Sequence, residues 1–241
     1  MLLFYIRHGD PLYTPDQLTP LGLKQAEALA KRLALFGIDR IYSSDSVRAM
    51  QTAQPTCDLV LKKKKLIPAF HEELAYLETL IYNDKGERNW PWVHPEMRRL
   101  MLSREVRELG ERWYEHPEVM KLRDFRPVLE RIGTAADEWL ASLGYHHDRE
   151  AGRYTVTAEN PDERIALFAH EGVGKLLMSH ILDIPLPLYA MNFEMQHSGM
   201  TAIEFRTWED GSTNTRVLTL SNDSHLYREG LPLYHRRHIR Y

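Results

Sequence analysis

The first six residues, MLLFYI, are apolar throughout, and the run ends abruptly at Arg7, His8 and Gly9. A strand without a polar face is covered on both sides, which is typical of the middle of an α/β sheet. In open α/β sheets, the carboxyl ends of the strands face the crevice where ligands bind. The sequence therefore predicts a buried central strand that delivers an arginine and a histidine to a ligand site.

The rest of the chain alternates strand and helix patterns, as in α/β proteins. The segment LTPLGLKQAEALAKRLALFG predicts a helix that is capped by Thr19 and ends at Gly37. The segment DSVRAMQTAQPTCDLVL predicts a second helix with a kink or break near Pro55. A third helix is expected at VGKLLMSHIL, and strands are expected at DRIYSS, LIPAF, RYTVTA, ERIALFAH, and in a hairpin of MTAIEF with TRVLTL.

Residues 77–160 interrupt this alternation. They contain two long helical patterns, at residues 95–115 and 118–143, and then the polar segment GYHHDREAGR, which predicts a loop. We therefore expect one domain, residues 1–241, with a mostly helical insertion at 77–160 that caps the core. The expected fold class is α/β, a three-layer sandwich with a mostly parallel central sheet flanked by helices.

Charge and cysteine content exclude several classes of protein. The net charge is −3 and Lys and Arg are spread along the chain, which disfavours a nucleic-acid partner. The basic run Lys62–Lys65 follows a helical pattern and predicts a solvated helix end. One cysteine, Cys57, excludes an internal disulfide, and no apolar run is long enough to cross a bilayer or act as a signal peptide. We expect a cytoplasmic protein without a membrane partner.

Charged and polar side chains follow four of the predicted strands. Arg7 and His8 end the first, Arg48 follows IYSS, Glu72 follows PAF, and His170 ends LFA. Each residue alone has a structural explanation, such as a hydrogen-bonded core histidine or a solvated carboxylate. Their repetition at strand ends predicts one site at one edge of one sheet.

This set of residues fits phosphoryl chemistry. Two guanidinium groups bind the oxygens of a phosphate dianion through paired, charge-assisted hydrogen bonds. A histidine attacks phosphorus through one ring nitrogen if an acceptor holds the other, and the carbonyl of Gly9 is the expected acceptor. A carboxylic acid protonates the leaving oxygen and then activates water, while a second histidine stabilises charge on the phosphoryl group.

At these residues the sequence resembles the histidine phosphatase superfamily, the phosphoglycerate mutase-like proteins. The matching segments are RHGD at 7–10, the LTPLGLKQAEALA helix, YSSDSVRAMQTA at 42–53, the carboxylate at Glu72, AHEGV at 169–173 and NDSHL at 222–226. They extend along the whole core, and only the insertion lies outside the resemblance. The family's fold is the phosphoglycerate mutase-like α/β sandwich.

The resemblance implies roles for five residues. His8 is the nucleophile, Arg7 and Arg48 hold the phosphate, His170 completes the pocket, and Glu72 is the proton donor. Glu73 adjoins Glu72 and is the alternative donor.

The resemblance also implies substrate contacts for Thr14, Glu171 and Gly172. Thr14 stands where the family often has asparagine, and Asp10 stands where it commonly has glutamate.

Three functions are consistent with these residues: a phosphomonoester hydrolase, a cofactor-dependent mutase of the phosphoglycerate mutase type, and a non-catalytic module that binds phosphorylated ligands. Only nine residues separate Gly9 from Thr19, whereas the family's sugar-phosphate mutases carry a longer loop with Trp and Asn. Hydrolysis of a small phosphorylated substrate is therefore the favoured function, without a metal or cofactor. A non-catalytic module would need the arginines but not both the nucleophile and the acid.

Three further segments carry chemistry-bearing residues. Trp90, Trp92 and Arg88 in the insertion are candidates for contacting a leaving group. His146, His147 and Asp148 look like metal ligands, but they have no partner at ligand spacing, so a surface loop is expected. The C-terminal HRRHIRY, residues 235–241, is expected to be solvated.

Overall fold

The computed structural model describes residues 1–83 and 85–233, so the HRRHIRY tail lies outside the described residues. The strands are β1 (Leu2–Arg7), β2 (Pro11–Tyr13), β3 (Asp16–Leu18), β4 (Arg40–Ser43), β5 (Lys64–Leu66), β6 (Ile81–Tyr82), β7 (Arg88–Asn89), β8 (Tyr145–Asp148), β9 (Arg153–Val156), β10 (Arg164–Ala169), β11 (Met200–Phe205), β12 (Ser212–Thr213) and β13 (Thr215–Asn222). The α-helices are α1 (Pro20–Phe36), α2 (Val47–Val60), α3 (Glu72–Thr79), α4 (Pro95–Met101), α5 (Arg104–Glu108), α6 (Pro117–Leu122), α7 (Arg126–Ala141), α8 (Gly172–Ile181), α9 (Leu186–Asn192) and α10 (Ser224–Arg228). Short 3₁₀ helices occur at Pro68–Phe70, Pro91–Val93 and Gly110–Glu115.

These elements form two compact units. The first contains residues 1–68, 159–170 and the chain from residue 195 onward, and the second contains residues 69–158 and 171–194. Residues 77–158 of the expected insertion belong to the second unit.

The first unit is built on a six-stranded mixed sheet with the order β13-β11-β1-β10-β4-β5. Strands β1, β10, β4 and β5 are parallel, whereas β11 and β13 form the predicted antiparallel hairpin at one edge. Both faces of β1 are buried, as its apolar sequence predicts: Tyr5 and Ile6 point to opposite faces and neither is exposed. The predicted α/β class, a central sheet flanked by helices, is confirmed.

Helices α1 and α2 pack together on one face of this sheet. The Thr19 hydroxyl accepts a hydrogen bond from the amide of Gly22 at the start of α1, and Gly37 ends the helix in the left-handed conformation, both as predicted. Helix α2 runs through Pro55 without the expected break and ends at Val60.

Two predictions that follow α2 are wrong. Leu61 adopts a left-handed conformation and ends the helix, so Lys62–Lys65 are not its last turn; they lead into β5, where Lys64 and Lys65 pair with β4. The third strand of the sheet therefore starts before LIPAF and shares only Leu66 with it. Most of that segment turns away as the 3₁₀ helix Pro68–Phe70, because proline cannot donate a ladder hydrogen bond.

The second unit does not contain the two long helices that periodicity predicts over residues 95–143. Four shorter helices and a 3₁₀ turn replace them, because local capping signals end each one. The Ser103 side chain caps α5, Gly110 adopts a positive φ of 57°, and the His116 ring caps α6. Arg123 is extended, with φ of −167°, just before α7 begins.

The polar segment after α7 is a β-hairpin, and only the turn between its strands, residues 149–152, matches the predicted loop. Residues Tyr145–Asp148 form β8, which pairs with β9 in an antiparallel hairpin. The side chain of His147 is only 1% exposed, so this histidine is not at the surface. No helix among the described residues is both long and apolar enough to span a membrane.

Candidate active site

His8 lies at the carboxyl end of β1, between two neighbouring segments of the first unit. Its amide donates to the carbonyl of Ala169, and its carbonyl accepts from the amide of Ser198. The ring Nδ1 lies 2.7 Å from the carbonyl oxygen of Gly9, the acceptor expected from the sequence. A carbonyl only accepts hydrogen bonds, so Nδ1 carries the ring proton. The lone pair of the neutral imidazole is therefore on Nε2.

The surroundings of His8 favour the neutral ring. Burial lowers the pKa of His8 well below its ordinary value, and the neighbouring His170 and Arg7 lower it further. The His8 and His170 rings lie 5.2 Å apart between centroids in an edge-to-face arrangement. An unprotonated imidazole among cationic groups is suited to act as a nucleophile toward an anion.

Arg7, the last residue of β1, is 6% exposed. Its Nη1 donates to the carbonyl of Met195 at 2.5 Å, and its Nη2 donates to Nε2 of His197 at 2.9 Å. The other ring nitrogen of His197 lies 3.4 Å from the carboxylate of Asp10. The chain Asp10, His197, Arg7 therefore fixes the position of the guanidinium group.

Arg48 lies in the first turn of α2, whose N-cap is Ser46, and its side chain is 1% exposed. Its Nη1 donates to Oδ1 of Asp16 at 2.8 Å. The other carboxylate oxygen of Asp16 accepts from the amide of Val47, also at 2.8 Å. Helix α2 also meets the segment that follows His8, because the hydroxyl of Thr52 accepts from the amide of Gly9 at 3.0 Å. The positive charge of Arg48 is one of the causes that lower the pKa of His8.

His170 follows β10 and is fully buried. Its Nε2 lies 2.9 Å from the hydroxyl oxygen of Ser44 and 3.2 Å from that of Ser46. Its backbone carbonyl accepts from the hydroxyl of Tyr5 at 2.5 Å. Both the ring and the backbone of His170 are thus fixed by groups of the first unit.

Glu72 is the first residue of α3, in the second unit. Its two carboxylate oxygens accept from the amides of Gly172 and Val173, at 2.9 and 2.7 Å. A side chain at Gly172 would not fit, because its Cβ would lie 2.2 Å from the indole of Trp90 and 2.6 Å from Glu72. The second unit therefore holds this carboxylate against the N-terminus of α8.

The other predicted site residues are placed as follows. Glu73 is half-exposed and pairs with Nε2 of His71 at 3.0 Å. Glu171 lies 3.7 Å from the ammonium group of Lys175. Thr14 is exposed in the turn between β2 and β3.

The aromatic residues of the second unit pack on one another. Trp90 and Trp92 are stacked with ring centroids 4.8 Å apart, and Trp90 also contacts Tyr76. Arg88 is exposed in β7.

The structure brings Arg7, His8, Arg48 and His170 together in the first unit. Glu72, Glu171 and Gly172 belong to the second unit.

Sequence reasoning missed Asp16, Ser44, Ser46 and His197. Ser46 carries the signal of an N-cap before the helix that holds Arg48, and this signal also places its hydroxyl near the strand end. Asp16 and His197 lie on short connecting segments without any periodic pattern. Their contacts arise only from the tertiary fold.

Comparison with known proteins gives one family. A family model described as "Histidine phosphatase superfamily (branch 1)" matches residues 3–217. No curated protein is significantly similar to the chain in sequence.

Solved structures share the fold at low sequence identity. A mycobacterial glucosyl-3-phosphoglycerate phosphatase has a TM-score of 0.58 and 20% identity, covering 91% of this chain and 98% of its own. A phosphoserine phosphatase from Entamoeba histolytica, in complex with 3-phosphoglyceric acid, has a TM-score of 0.57 and 18% identity, with coverage of 93% and 98%. A putative α-ribazole-5′-P phosphatase from Escherichia coli has a TM-score of 0.55 and 19% identity, with coverage of 92% and 98%.

Proposed function

This chain belongs to the histidine phosphatase superfamily, and on that premise we propose that it hydrolyses phosphomonoesters through a phosphohistidine formed on His8. The observation that carries the proposal is the hydrogen bond of 2.7 Å between Nδ1 of His8 and the Gly9 carbonyl. This bond leaves the Nε2 lone pair of a buried, neutral ring for attack on phosphorus.

The groups around His8 support recognition of a phosphoryl dianion. Arg7 and Arg48 supply the guanidinium groups, and both are fixed by hydrogen bonds before a ligand enters. Preorganised cations stabilise the charge on the transferring phosphoryl oxygens without a reorganisation cost during the reaction. His170 adds a second imidazole, with its ring centroid 5.2 Å from that of His8. This ring is proposed to stabilise the same charge on the phosphoryl oxygens.

Glu72 is the proposed proton donor. Both of its carboxylate oxygens are held by backbone amides, whereas Glu73 is half-exposed and paired with His71. Amides that donate to both oxygens fix the orientation of the carboxylate, the form in which Glu72 takes the proton from water in the second step. In the chain, Gly172, which binds Glu72, follows His170 by two positions.

The reaction then has two steps. In the first, Nε2 of His8 forms a bond to phosphorus, the bond from phosphorus to the ester oxygen breaks, and the leaving oxygen takes a proton from Glu72. In the second, the Glu72 carboxylate takes a proton from water, whose oxygen attacks phosphorus. The N–P bond breaks, and orthophosphate leaves with His8 neutral and Glu72 protonated again.

Hydrolysis is proposed rather than mutase activity. A mutase must retain a bisphosphate intermediate and exclude water during turnover. In this chain, the segment between Gly9 and Thr19 is only the short hairpin of β2 and β3. A hairpin of this length supports a site that water can enter.

The proposed substrate is a small phosphorylated metabolite, and the chemistry uses no metal or cofactor. The structural relatives named above are phosphatases of glucosyl-3-phosphoglycerate, phosphoserine and, putatively, α-ribazole-5′-P. These compounds are therefore the first candidates to test. Hydrolysis is expected to continue in the presence of a chelator, because the imidazole and the guanidinium groups supply the nucleophile and the charge.

The central test compares wild type with His8→Ala on p-nitrophenyl phosphate. The variant is expected to release no phosphate while its circular dichroism spectrum and melting temperature stay near those of wild type. His146→Ala, which removes an exposed histidine, is the matched control and should retain full activity. Turnover in His8→Ala at the wild-type rate would reject His8 as the nucleophile.

A second assay separates the alternatives. The protein is incubated with 3-phosphoglycerate and a trace of 2,3-bisphosphoglycerate, and both phosphate release and isomerisation are followed. Isomerisation without phosphate release would favour the mutase. Binding of phosphorylated ligands without either reaction, across a metabolite panel, would favour a non-catalytic module.

A further inference from the structure

Two histidines and two aspartates meet at a partly buried position of the second unit, and none of them has a role in the proposed phosphoryl transfer. Asp137 comes from α7, His147 from β8, His180 from α8, and Asp183 from the turn after α8. Oδ1 of Asp137 lies 3.1 Å from Nδ1 of His147 and 2.7 Å from Nε2 of His180. Three separate elements thus point polar atoms at one position.

The spacing of these atoms is close to that of a metal site. One ligand atom from each of Asp137, His147 and His180 lies within 4.8 Å of the other two. Bonds of about 2.1 Å to a tetrahedral ion place any two ligand atoms roughly 3.4 Å apart. Asp137 would need to retreat by a few tenths of an ångström, and its side chain, at 38% exposure, has room to do so.

His147 is oriented as a metal-binding histidine is. Its side chain is 1% exposed, and its ring stacks on Tyr154 with centroids 4.2 Å apart and planes 11° apart. Nε2 lies 3.0 Å from Oδ2 of Asp183. A carboxylate that accepts from one ring nitrogen holds the ring in place and leaves the other nitrogen to bind the ion.

Helix α7 leaves space for the ring of His180, which comes from α8. A Cβ at Gly133 would lie 2.8 Å from Cε1 of the His180 ring, so a larger residue there would push the ring aside. Glycine inside a helix costs about 1 kcal/mol relative to alanine. One turn later, the same helix presents Asp137 to the ring. Helix α7 therefore provides both the space and the carboxylate.

One present contact would have to change. Nη1 of Arg149 lies 3.1 Å from Nδ1 of His180 and donates to it. Binding of an ion to Nε2 moves the ring proton to Nδ1, which then no longer accepts. Arg149 is free to leave because its side chain is 45% exposed and also pairs with Glu111.

We propose that Asp137, His147 and His180 bind one divalent transition-metal ion, and that Zn²⁺ is the ion this donor set suits best. Two imidazoles and one carboxylate leave one position of a tetrahedron. Asp137 and His180 both line a cavity of about 370 Å³, from which a water molecule supplies the fourth ligand. The carboxylates of Asp137 and Asp183 balance the charge of the ion. Its role is structural: it ties α7, β8 and α8 together.

The test measures metal binding directly on the full-length protein. The protein is treated with a chelator, dialysed, and titrated with Zn²⁺ in competition with a chromophoric chelator, and the bound metal is counted by elemental analysis. One Zn²⁺ per chain and a rise in melting temperature with Zn²⁺ concentration are expected, because binding to the folded state stabilises it. Co²⁺ should bind with the visible absorption of a tetrahedral site.

Two ligand variants and one control locate the site. Asp137→Asn and His180→Gln should each weaken Zn²⁺ binding by at least about tenfold. His146→Gln should bind as wild type does, because this exposed histidine lies beside His147 on β8 with its ring toward Thr157. If a ligand variant fails to fold, Gly133→Ala, which displaces the His180 ring and removes no ligand, replaces it.

Two results would overturn the proposal. One is a wild-type protein that binds less than a stoichiometric amount of Zn²⁺ at concentrations that saturate ordinary protein sites. The other is one equivalent of Zn²⁺ that all ligand variants retain with wild-type affinity, which would assign the ion to other histidines. Neither result depends on phosphatase activity.

Discussion

The carboxylate of Asp16 lies 2.8 Å from Nη1 of Arg48, a guanidinium group proposed to hold the phosphate. Asp16 is partly exposed, whereas the Arg48 side chain is 1% exposed. The contact fixes the arginine, and it also places a negative charge where a phosphate dianion is proposed to bind. Asp16 therefore has two opposing effects on the affinity for phosphate: it orients Arg48, which raises the affinity, and it repels the dianion, which lowers it.

The substitution Asp16→Asn separates these two effects. The amide side chain of the variant keeps an oxygen that accepts from Arg48 and carries no negative charge. It loses the hydrogen bond from the amide of Val47, because its nitrogen only donates. A unit charge at this range in water contributes about 1 kcal/mol, so the Ki of orthophosphate is expected to fall about fivefold. The Ki is measured for wild type and the variant by steady-state inhibition with orthophosphate at constant ionic strength. An unchanged or higher Ki would show that the charge of Asp16 does not oppose phosphate.

Glu72→Gln is expected to slow cleavage of an alkyl phosphomonoester by about 10²- to 10⁴-fold, the usual range for loss of a general acid. The loss should be smaller for p-nitrophenyl phosphate, because p-nitrophenolate leaves without much help from a proton. Glu73→Gln is the matched control and should be close to wild type. If Glu73→Gln carries the loss instead, the proton donor is Glu73.

The lowered pKa of His8 predicts how the rate depends on pH. Protonation removes the lone pair of the nucleophile, but this occurs only well below the ordinary pKa of histidine. Accordingly, kcat/KM, which reports ionisations of the free enzyme and the free substrate, should show no decline centred near that ordinary value once the ionisation of the phosphomonoester is corrected for. An acid limb centred near the ordinary histidine pKa would contradict an environment that keeps His8 neutral.

His225 predicts a loss of stability in acid. Burial, with a contribution from Arg32, lowers its pKa from 6.5 to about 4, and its Nε2 lies 2.9 Å from the hydroxyl of Ser198. Because the unfolded chain binds the proton more readily, stability is full above pH 6.5 and falls as the pH drops toward about 4. The loss approaches about 3 kcal/mol, taking about 1.4 kcal/mol for each tenfold change in proton affinity.

Denaturant unfolding of wild type and His225→Gln, at several pH values in this interval, measures that loss. The free energy of unfolding of the variant should depend less on pH, whereas His146→Gln should follow wild type. Parallel curves for wild type and His225→Gln would assign the acid sensitivity to other groups.

The part of the site that the sequence predicts is the part carried by strand ends and helix caps. Arg7 and His8 follow an apolar run, and Arg48 follows a capping serine, so local patterns place them. Asp16 and His197 have no such pattern, because their partners are distant in the chain. The same holds for His147, whose partners Asp137 and Asp183 are brought to it by α7 and by the turn after α8.

Helix lengths were the weaker part of the prediction, for a related reason. Hydrophobic periodicity continues across Ser103 and Gly110, but a hydroxyl that caps an amide and a glycine with positive φ end the helices there. Apolar residues on both sides of the breaks are buried, namely Met101, Val106 and Trp113. Hydrophobic periodicity therefore predicts which residues are buried, but it does not predict where one helix ends and the next begins.

The place of β10 in the sheet has a consequence for biosynthesis. This strand lies between β1 and β4, yet it follows them by more than a hundred residues in the chain. A ribosome adding about 5–20 residues per second needs several seconds or more to deliver it. Until then the two early strands lack their common neighbour, and the unpaired N–H and C=O groups of their edges stay open to the wrong partners. Because the strands that pair are far apart in the chain, the sheet closes late in folding. A chaperone would therefore matter most while only the N-terminal segment has been synthesised.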